Sequence, residues 1–194
     1  MKYANLDLGT IEAIVNKLGG MDGVNRFLRG ELEVKEYSLL RRIKTVPVPA
    51  QKRFVAKDHF VVNAGEDARV KISYLGDNFC ANFLDKIENP AEEKSLAVSK
   101  LLKKSLDLPI LGELGDKAET QLSQMFALMS EQPDGEGGTL LTNGAANIFY
   151  IRDKNNKFWA VYCYWVGDGW CAFAGSVEYP YEWLGGGRVF SRNS

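Results

Sequence analysis

The sequence predicts an α+β fold: a mostly antiparallel sheet ending in a C-terminal meander, helices packed on it, and a small N-terminal helical hairpin. Three observations predict it. All four tryptophans lie between Trp159 and Trp183, and 13 of the 22 aromatic residues fall between Phe149 and Phe190. Aromatic residues suit the pleated, half-buried surface of a strand. The apolar runs in that stretch are separated by Asp153-Lys154-Asn155-Asn156 and Gly167-Asp168-Gly169, which are turn sequences. Upstream, apolar residues recur at helical spacing in several segments.

The first elements form a pair of short helices. Ile11, Ile14, Val15 and Leu18 fall on one helical face, with Asp7 or Thr10 as the cap and Gly19-Gly20 as the stop. A second helix is expected from Asp22, turning Val24, Phe27 and Leu28 inward and closing at Gly30. Residues 31–63 read as extended. Leu32 and Val34 alternate with Glu31, Glu33 and Lys35. Val46-Pro47-Val48-Pro49 reads as a connector, because proline removes the donors a central strand needs. Arg53 to Asn63 then reads as a strand. The expected division is residues 1–45, a helical hairpin and strand, followed by residues 46–194, the main α+β domain; a single domain over 1–194 is the alternative.

Arg69 to Leu75 alternates as Val70, Ile72 and Tyr74 against Lys71 and Ser73. Asp77 is placed as the cap of a helix whose stripe is Phe79, Cys80, Phe83, Leu84 and Ile87, stopped by Asn89-Pro90. Residues 91–108 fit helix or strand, with strand preferred. Asp116 and Glu119 have capping-box spacing before a helix that buries Leu122, Met125, Phe126 and Met129. Four strands are then expected at Thr139–Thr142, Asn147–Arg152, Phe158–Trp165 and Trp170–Val177, with a last short one at Arg188–Ser191.

Composition excludes several classes. A net charge of −1 gives no overall attraction to nucleic acid or to an anionic membrane. Three cysteines make no disulfide framework and fit a reducing, cytoplasmic compartment. The opening MKYANLDLGT has no apolar core of signal-peptide length, and the longest apolar run, Phe158 to Val166, is too short to span a bilayer. Cys163 and Cys171 flank a tight turn; a two- or four-residue loop puts them on opposite faces and only a three- or five-residue loop on the same one, and no disulfide is expected between them. A single histidine, His59, gives weak support for nucleophilic catalysis with Cys80 or Asp58 and none for a structural zinc site.

The glycine-rich Gly135-Glu136-Gly137-Gly138-Thr139 lacks the Lys-Ser/Thr of a phosphate loop. Asp153-Lys154-Asn155 lacks the later residues of a calcium loop. No catalytic, cofactor or metal residue is therefore assigned, and no cofactor is expected. The run LGGMDGVNRFLRGEL (Leu18 to Leu32), the phrase LLTNGAANIFYIRD (Leu140 to Asp153) and the VFSRN segment (Val189 to Asn193) resemble those of a group of uncharacterised bacterial proteins. The resemblance reaches both ends of the chain and implies no activity.

Two surfaces remain as candidates. Tyr179, Pro180, Tyr181 and Trp183 cluster in a loop-like stretch before Gly185-Gly186-Gly187, where rings are more exposed than in strands. Tyr179, Tyr181 and Trp183 are the expected contacts for a protein partner or a homodimer. The N-terminal helix pair, followed by six basic and no acidic residues from Leu39 to Lys57, would instead suit nucleic acid through Arg26, Arg29, Arg41, Arg42 and Lys44. The preferred function is a non-catalytic interaction or regulatory protein. A nucleic-acid-binding regulator is the second reading, and a hydrolase-type enzyme with carboxylates in a cleft is the third.

Overall fold

The computed structural model describes residues 7–33, 38–179 and 181–193, which fall into two units, 7–33 and 38–193. In the first unit, α1 (Leu8–Lys17) is capped by the Asp7 carboxylate, which accepts from the Thr10 N–H at 2.6 Å. Gly19 and Gly20 take left-handed backbone and turn the chain into α2 (Gly20–Leu28). Gly23 lets the two helices meet closely, because a Cβ there would lie 1.5 Å from the Leu18 carbonyl oxygen. Gly30, at φ 74°, closes α2 as a Schellman motif: Glu31 N–H donates to Arg26 and Gly30 N–H to Phe27. Glu31 to Glu33 is not strand, and the rest of that expected alternation lies outside the described residues.

The second unit is built on one large sheet. Its strands are β1 (Leu40–Val48), β3 (Ile72–Leu75), β5 (Lys94–Leu101), β6 (Glu119–Thr120), β7 (Asn147–Arg152), β8 (Phe158–Val166), β9 (Gly169–Ser176) and β10 (Arg188–Arg192). The order is β1-β5-β10-β7-β8-β9-β3, with β6 beside the second half of β7. The β1–β5, β5–β10, β7–β8 and β8–β9 pairs are antiparallel; β10 and β6 run parallel to β7, and β3 parallel to β9. A small hairpin pairs β2 (Phe54–Val55) with β4 (Ile87–Glu88). The helices of this unit are α3 (Ala56–His59), α4 (Asp77–Phe83), α5 (Asp107–Leu114) and α6 (Leu122–Ser130).

The meander β7-β8-β9 and the strand preference for the 91–108 segment agree with the sequence reading. Gly167, at φ 63°, takes the first central position of the two-residue turn between Val166 and Gly169, as a type II′ turn requires. Cys163 then pairs with Ala172 and Cys171 with Tyr164 across the ladder, and all three cysteines are free.

Several elements differ, each for a physical reason. Pro47 lies within β1 rather than in a connector; β1 is the sheet's edge, where a missing donor is tolerated. Only Phe54 and Val55 of the 53–63 run are strand. The chain turns into α3, which brings Phe54, His59 and Phe60 onto Phe126; an extended chain would put Phe54 and His59 on opposite faces. In β3 an irregularity between Ile72 and Tyr74 breaks the alternation, so Val70, Ile72 and Leu75 are buried and Tyr74 is not. The helix after Gly76 ends at Phe83, because the backbone carbonyls of Leu84 and Lys86 accept from Lys57 and Ala56. Asp77 is its first residue and makes no cap, with Gly76 in the cap position.

Leu106 and Leu108 lie beyond β5, and α5 starts at Asp107 with Pro109 in its first turn, where proline's missing N–H is harmless. Asp116 and Glu119 do not form a capping box. Residues 115–117 make a single 3₁₀ turn, and Glu119-Thr120 pairs with β7. The helix that follows does bury Leu122, Met125, Phe126 and Met129, but its capping box is Gln121 with Gln124. Residues 139–142 are not a strand. The Gln132 side chain takes both backbone groups of Leu140, and the Asn147 side chain takes both of Leu141. Side-chain amides there stand in for a neighbouring strand.

The buried carboxylate of Glu88 ties the small hairpin to α6. Its two oxygens accept the Leu122 and Ser123 N–H groups, each at 2.9 Å, and Lys86 Nζ lies at 3.4 Å. These are unsatisfied first-turn donors of α6, and the helix dipole favours an anion there. Glu88→Ala is expected to cost about 3 kcal/mol, the scale of losing charge-assisted hydrogen bonds in a buried place. Urea denaturation checks it; a loss below about 1 kcal/mol would mean that water satisfies those donors equally well.

Candidate functional site

Strand β8 is central, and its two faces are both apolar. Trp159, Val161, Cys163 and Trp165 point into the main core beneath α4 and α6, against Phe79, Phe83, Leu122, Met125 and Met129. Phe158, Ala160 and Tyr162 point the other way, into a second cluster with Ile148, Tyr150, Leu101, Val189 and Trp183, closed by Ile110 of α5.

Past that cluster the second face continues as a strip of rings. Trp183 meets Tyr162 edge-on at 4.9 Å; Tyr162 and Tyr164 each lie 5.3 Å from Phe173, and Phe173 lies 5.5 Å from Tyr74. Apart from Trp183, these rings project from β8, β9 and β3, whose ladder sets the spacing. Gly76 makes room for the strip, since a Cβ there would stand 2.7 Å from the Phe173 ring. Tyr74 is 48 % exposed and Tyr164 and Phe173 are half-buried.

At the Trp183 end the strip opens into a cavity of about 360 Å³. Tyr162, Tyr164, Tyr181 and Trp183 supply its rings, and Glu182, Leu184 and the Gly144–Ala146 segment complete the wall. Glu182 is the one charged residue among its lining residues. That carboxylate pairs with Lys104 Nζ at 3.3 Å, both side chains being largely exposed. Burial pushes the Tyr162 hydroxyl up to about 12, with the neighbouring Tyr164 and Tyr181 adding to the shift, so it stays protonated and able to donate.

Asp107 holds the back of this wall. One of its carboxylate oxygens accepts from Trp183 Nε1 at 2.7 Å and from the Tyr150 hydroxyl at 2.9 Å. The carboxyl is buried, and burial lifts its pKa above the ordinary 3.8 although the two donors pull it down. Among the described residues no second carboxylate shares these hydrogen bonds, so Asp107 acts as an anchor for the indole.

The sequence-predicted contacts divide here. Tyr179 and Tyr181 are exposed, whereas Trp183 is 8 % exposed and forms the pocket's wall. Pro180 lies outside the described residues. The rings expected as contacts from the sequence are Tyr179, Tyr181 and Trp183; Tyr162, Tyr164 and Phe173 are not among them. The signal that places them on one face is their strand parity, together with the tight turn that fixes the register.

The predicted basic residues are spread over both units. Arg26 and Arg29 are in the first, where Arg29 pairs with Glu31 at 2.6 Å. Arg41, Arg42 and Lys44 are on β1. Arg42 donates to Thr45 and Asn193, and Lys44 to Thr139. Cys80 donates to the Leu75 carbonyl rather than to His59. Among the described residues no cluster of three or more His, Cys, Asp or Glu residues is placed to hold a metal ion, and no helix is long and apolar enough to cross a membrane.

No protein-family model matches the chain, and no similar curated protein or solved structure is found.

Asp107 gives a pH signature with a definite sign. Its folded-state pKa lies above 3.8, so the folded chain holds this proton more tightly than the unfolded one. The stability it contributes is complete below the unfolded value and is lost as pH rises through the folded value. Asp107→Asn cannot ionise and removes that loss. The stability of the native chain relative to the variant should therefore decline in urea denaturation as pH is raised from below 3.8; a flat difference would contradict the upward shift.

Proposed function

We propose that this chain is a non-catalytic binding protein whose aromatic pocket receives a basic side chain from a protein partner. The observation that carries this reading is the pocket's wall: four aromatic rings, one carboxylate, and no lysine or arginine among the lining residues. Ring faces attract a cation through their quadrupole, and a guanidinium also stacks on them. The volume of about 360 Å³ suits one or two side chains rather than a large cofactor. The exposed Lys104–Glu182 pair at the rim is weak enough for an incoming cation to replace Lys104. Tyr74 and Phe173 extend the apolar contact along the sheet, and Tyr179 and Tyr181 border it as exposed rings. Free thiols at Cys80, Cys163 and Cys171 support a reducing, cytoplasmic setting.

Nucleic-acid binding through Arg26, Arg29, Arg41, Arg42 and Lys44 is the less favoured reading. Arg29, Arg42 and Lys44 already hold internal partners, which leaves fewer free cations for phosphates.

The test compares acetyl-arginine amide with its uncharged isostere acetyl-citrulline amide, followed by tryptophan fluorescence. The arginine compound should quench the signal saturably, and Trp183→Phe should remove that change. Tyr164→Ala and Tyr181→Ala should each weaken binding about tenfold, the scale of one desolvated cation–π contact. Equal binding of the citrulline compound would overturn the proposal.

A further inference from the structure

A second cavity lies elsewhere in the same unit, between residues 49–54, α3, Arg69 and α6. Its volume is about 610 Å³. Phe54 and Phe126, both nearly buried, form its apolar floor. The His59 imidazole lies parallel to Phe54 at 4.4 Å and tilted against Phe126 at 4.9 Å. Ring packing therefore fixes this imidazole. Burial and the nearby Arg69 lower its pKa below 6.5, against the smaller opposing effect of Asp58.

The rim is cationic. Lys52, Arg53 and Arg69 line the cavity and pair with no carboxylate among the described residues. Glu131 is the one carboxylate in its wall. A smaller adjoining hollow shares His59, Arg69 and Phe126 and adds Asp58 and Asp67. In the larger cavity three cations face one anion, a surplus that matches the nearly doubly charged phosphate monoester. Guanidinium groups bind phosphate oxygens through two parallel hydrogen bonds. A bare phosphate would leave most of this volume and its aromatic floor unused, whereas cavities of this size hold small organic ligands.

We infer that this cleft is a binding site for a phosphate monoester with a flat apolar body, the chemistry of a mononucleotide. Arg53, Arg69 and Lys52 take the phosphate, and the flat body lies against the His59–Phe54–Phe126 rings. The same chemistry occurs in a free nucleotide and at the phosphorylated end of a single strand. The residues are separate from those of the aromatic pocket, so either site can fail without the other.

The chain's only histidine is the reporter, because its imidazole gives one set of NMR resonances with no overlap. Adenosine 5′-monophosphate should shift those resonances saturably and raise the His59 pKa as the dianion arrives. Adenosine and inorganic phosphate should each bind at least tenfold more weakly. The double variant Arg53→Ala/Arg69→Ala, which changes only exposed side chains, should weaken the nucleotide at least tenfold. Glu131→Gln should tighten it severalfold.

A short 5′-phosphorylated oligonucleotide binding better than the mononucleotide would identify the strand end as the natural source, and the reverse order a free nucleotide. Unmoved His59 resonances at ~10 mM nucleotide, equal binding by the double variant, or equal response to a 5′-hydroxyl oligonucleotide as the only binder would overturn the inference.

Discussion

A single buried carboxylate oxygen governs the shape of the aromatic pocket. Asp107 accepts from Trp183 and Tyr150 at once, and so joins the first turn of α5, strand β7 and the segment leading into β10. An indole wedged into an apolar cluster needs a partner for its N–H. An acid there must be desolvated, and the raised pKa of Asp107 records that cost. The two donors and the start of the helix offset part of it. The outcome is a tryptophan held at a fixed angle to Tyr162, 80° between the ring planes, which makes a pocket wall out of a residue in an otherwise irregular stretch.

The sheet uses its two faces differently. Helices α4 and α6 cover one face over the main core, whereas α5 closes only the cluster around Ile110 on the other. Rings on β8, β9 and β3 beyond that cluster remain accessible in part, and they form the strip that ends at the pocket. The second cavity depends on a different anchor. Glu88 holds the start of α6, and α6 with its C-cap residue Glu131 in turn supplies Phe126, Ser130 and Glu131 to the wall in which His59 sits. Two buried carboxylates thus position two cavities of opposite electrostatic character. One has rings with a carboxylate at its rim, the other has cations over an aromatic floor.

Strand parity made much of the sheet legible. Trp159, Val161, Cys163 and Trp165 against Phe158, Ala160, Tyr162 and Tyr164 is a period of two that any neighbour must respect, and the Gly167-Asp168 turn fixes its register. Helix α6 was legible from Leu122, Met125, Phe126 and Met129, but its start was not. Asp116 and Glu119 have the spacing of a capping box, yet the pairing of Glu119-Thr120 with β7 overrode that local preference. Leu140 and Leu141 look like strand residues; Gln132 and Asn147 satisfy their backbone instead, from only eight and six residues away, but no periodic pattern marks those amides as partners. The aromatic loop was visible as a cluster of rings, but Trp183 could not be told from Tyr181, since it is the Asp107 contact and the apolar cluster around Tyr162 that bury one and leave the other exposed.

The sequence by itself determined the α+β class, the hairpins of the aromatic stretch and the helical character of most amphipathic segments, because these follow from local periodicity and turn chemistry. Only the tertiary structure decided that β10 inserts between β5 and β7, that Phe54 and His59 share a surface, and which rings stay accessible. Those outcomes depend on contacts between residues far apart in the chain. The free energy of such contacts is set by what else is buried beside them, and no local pattern encodes that.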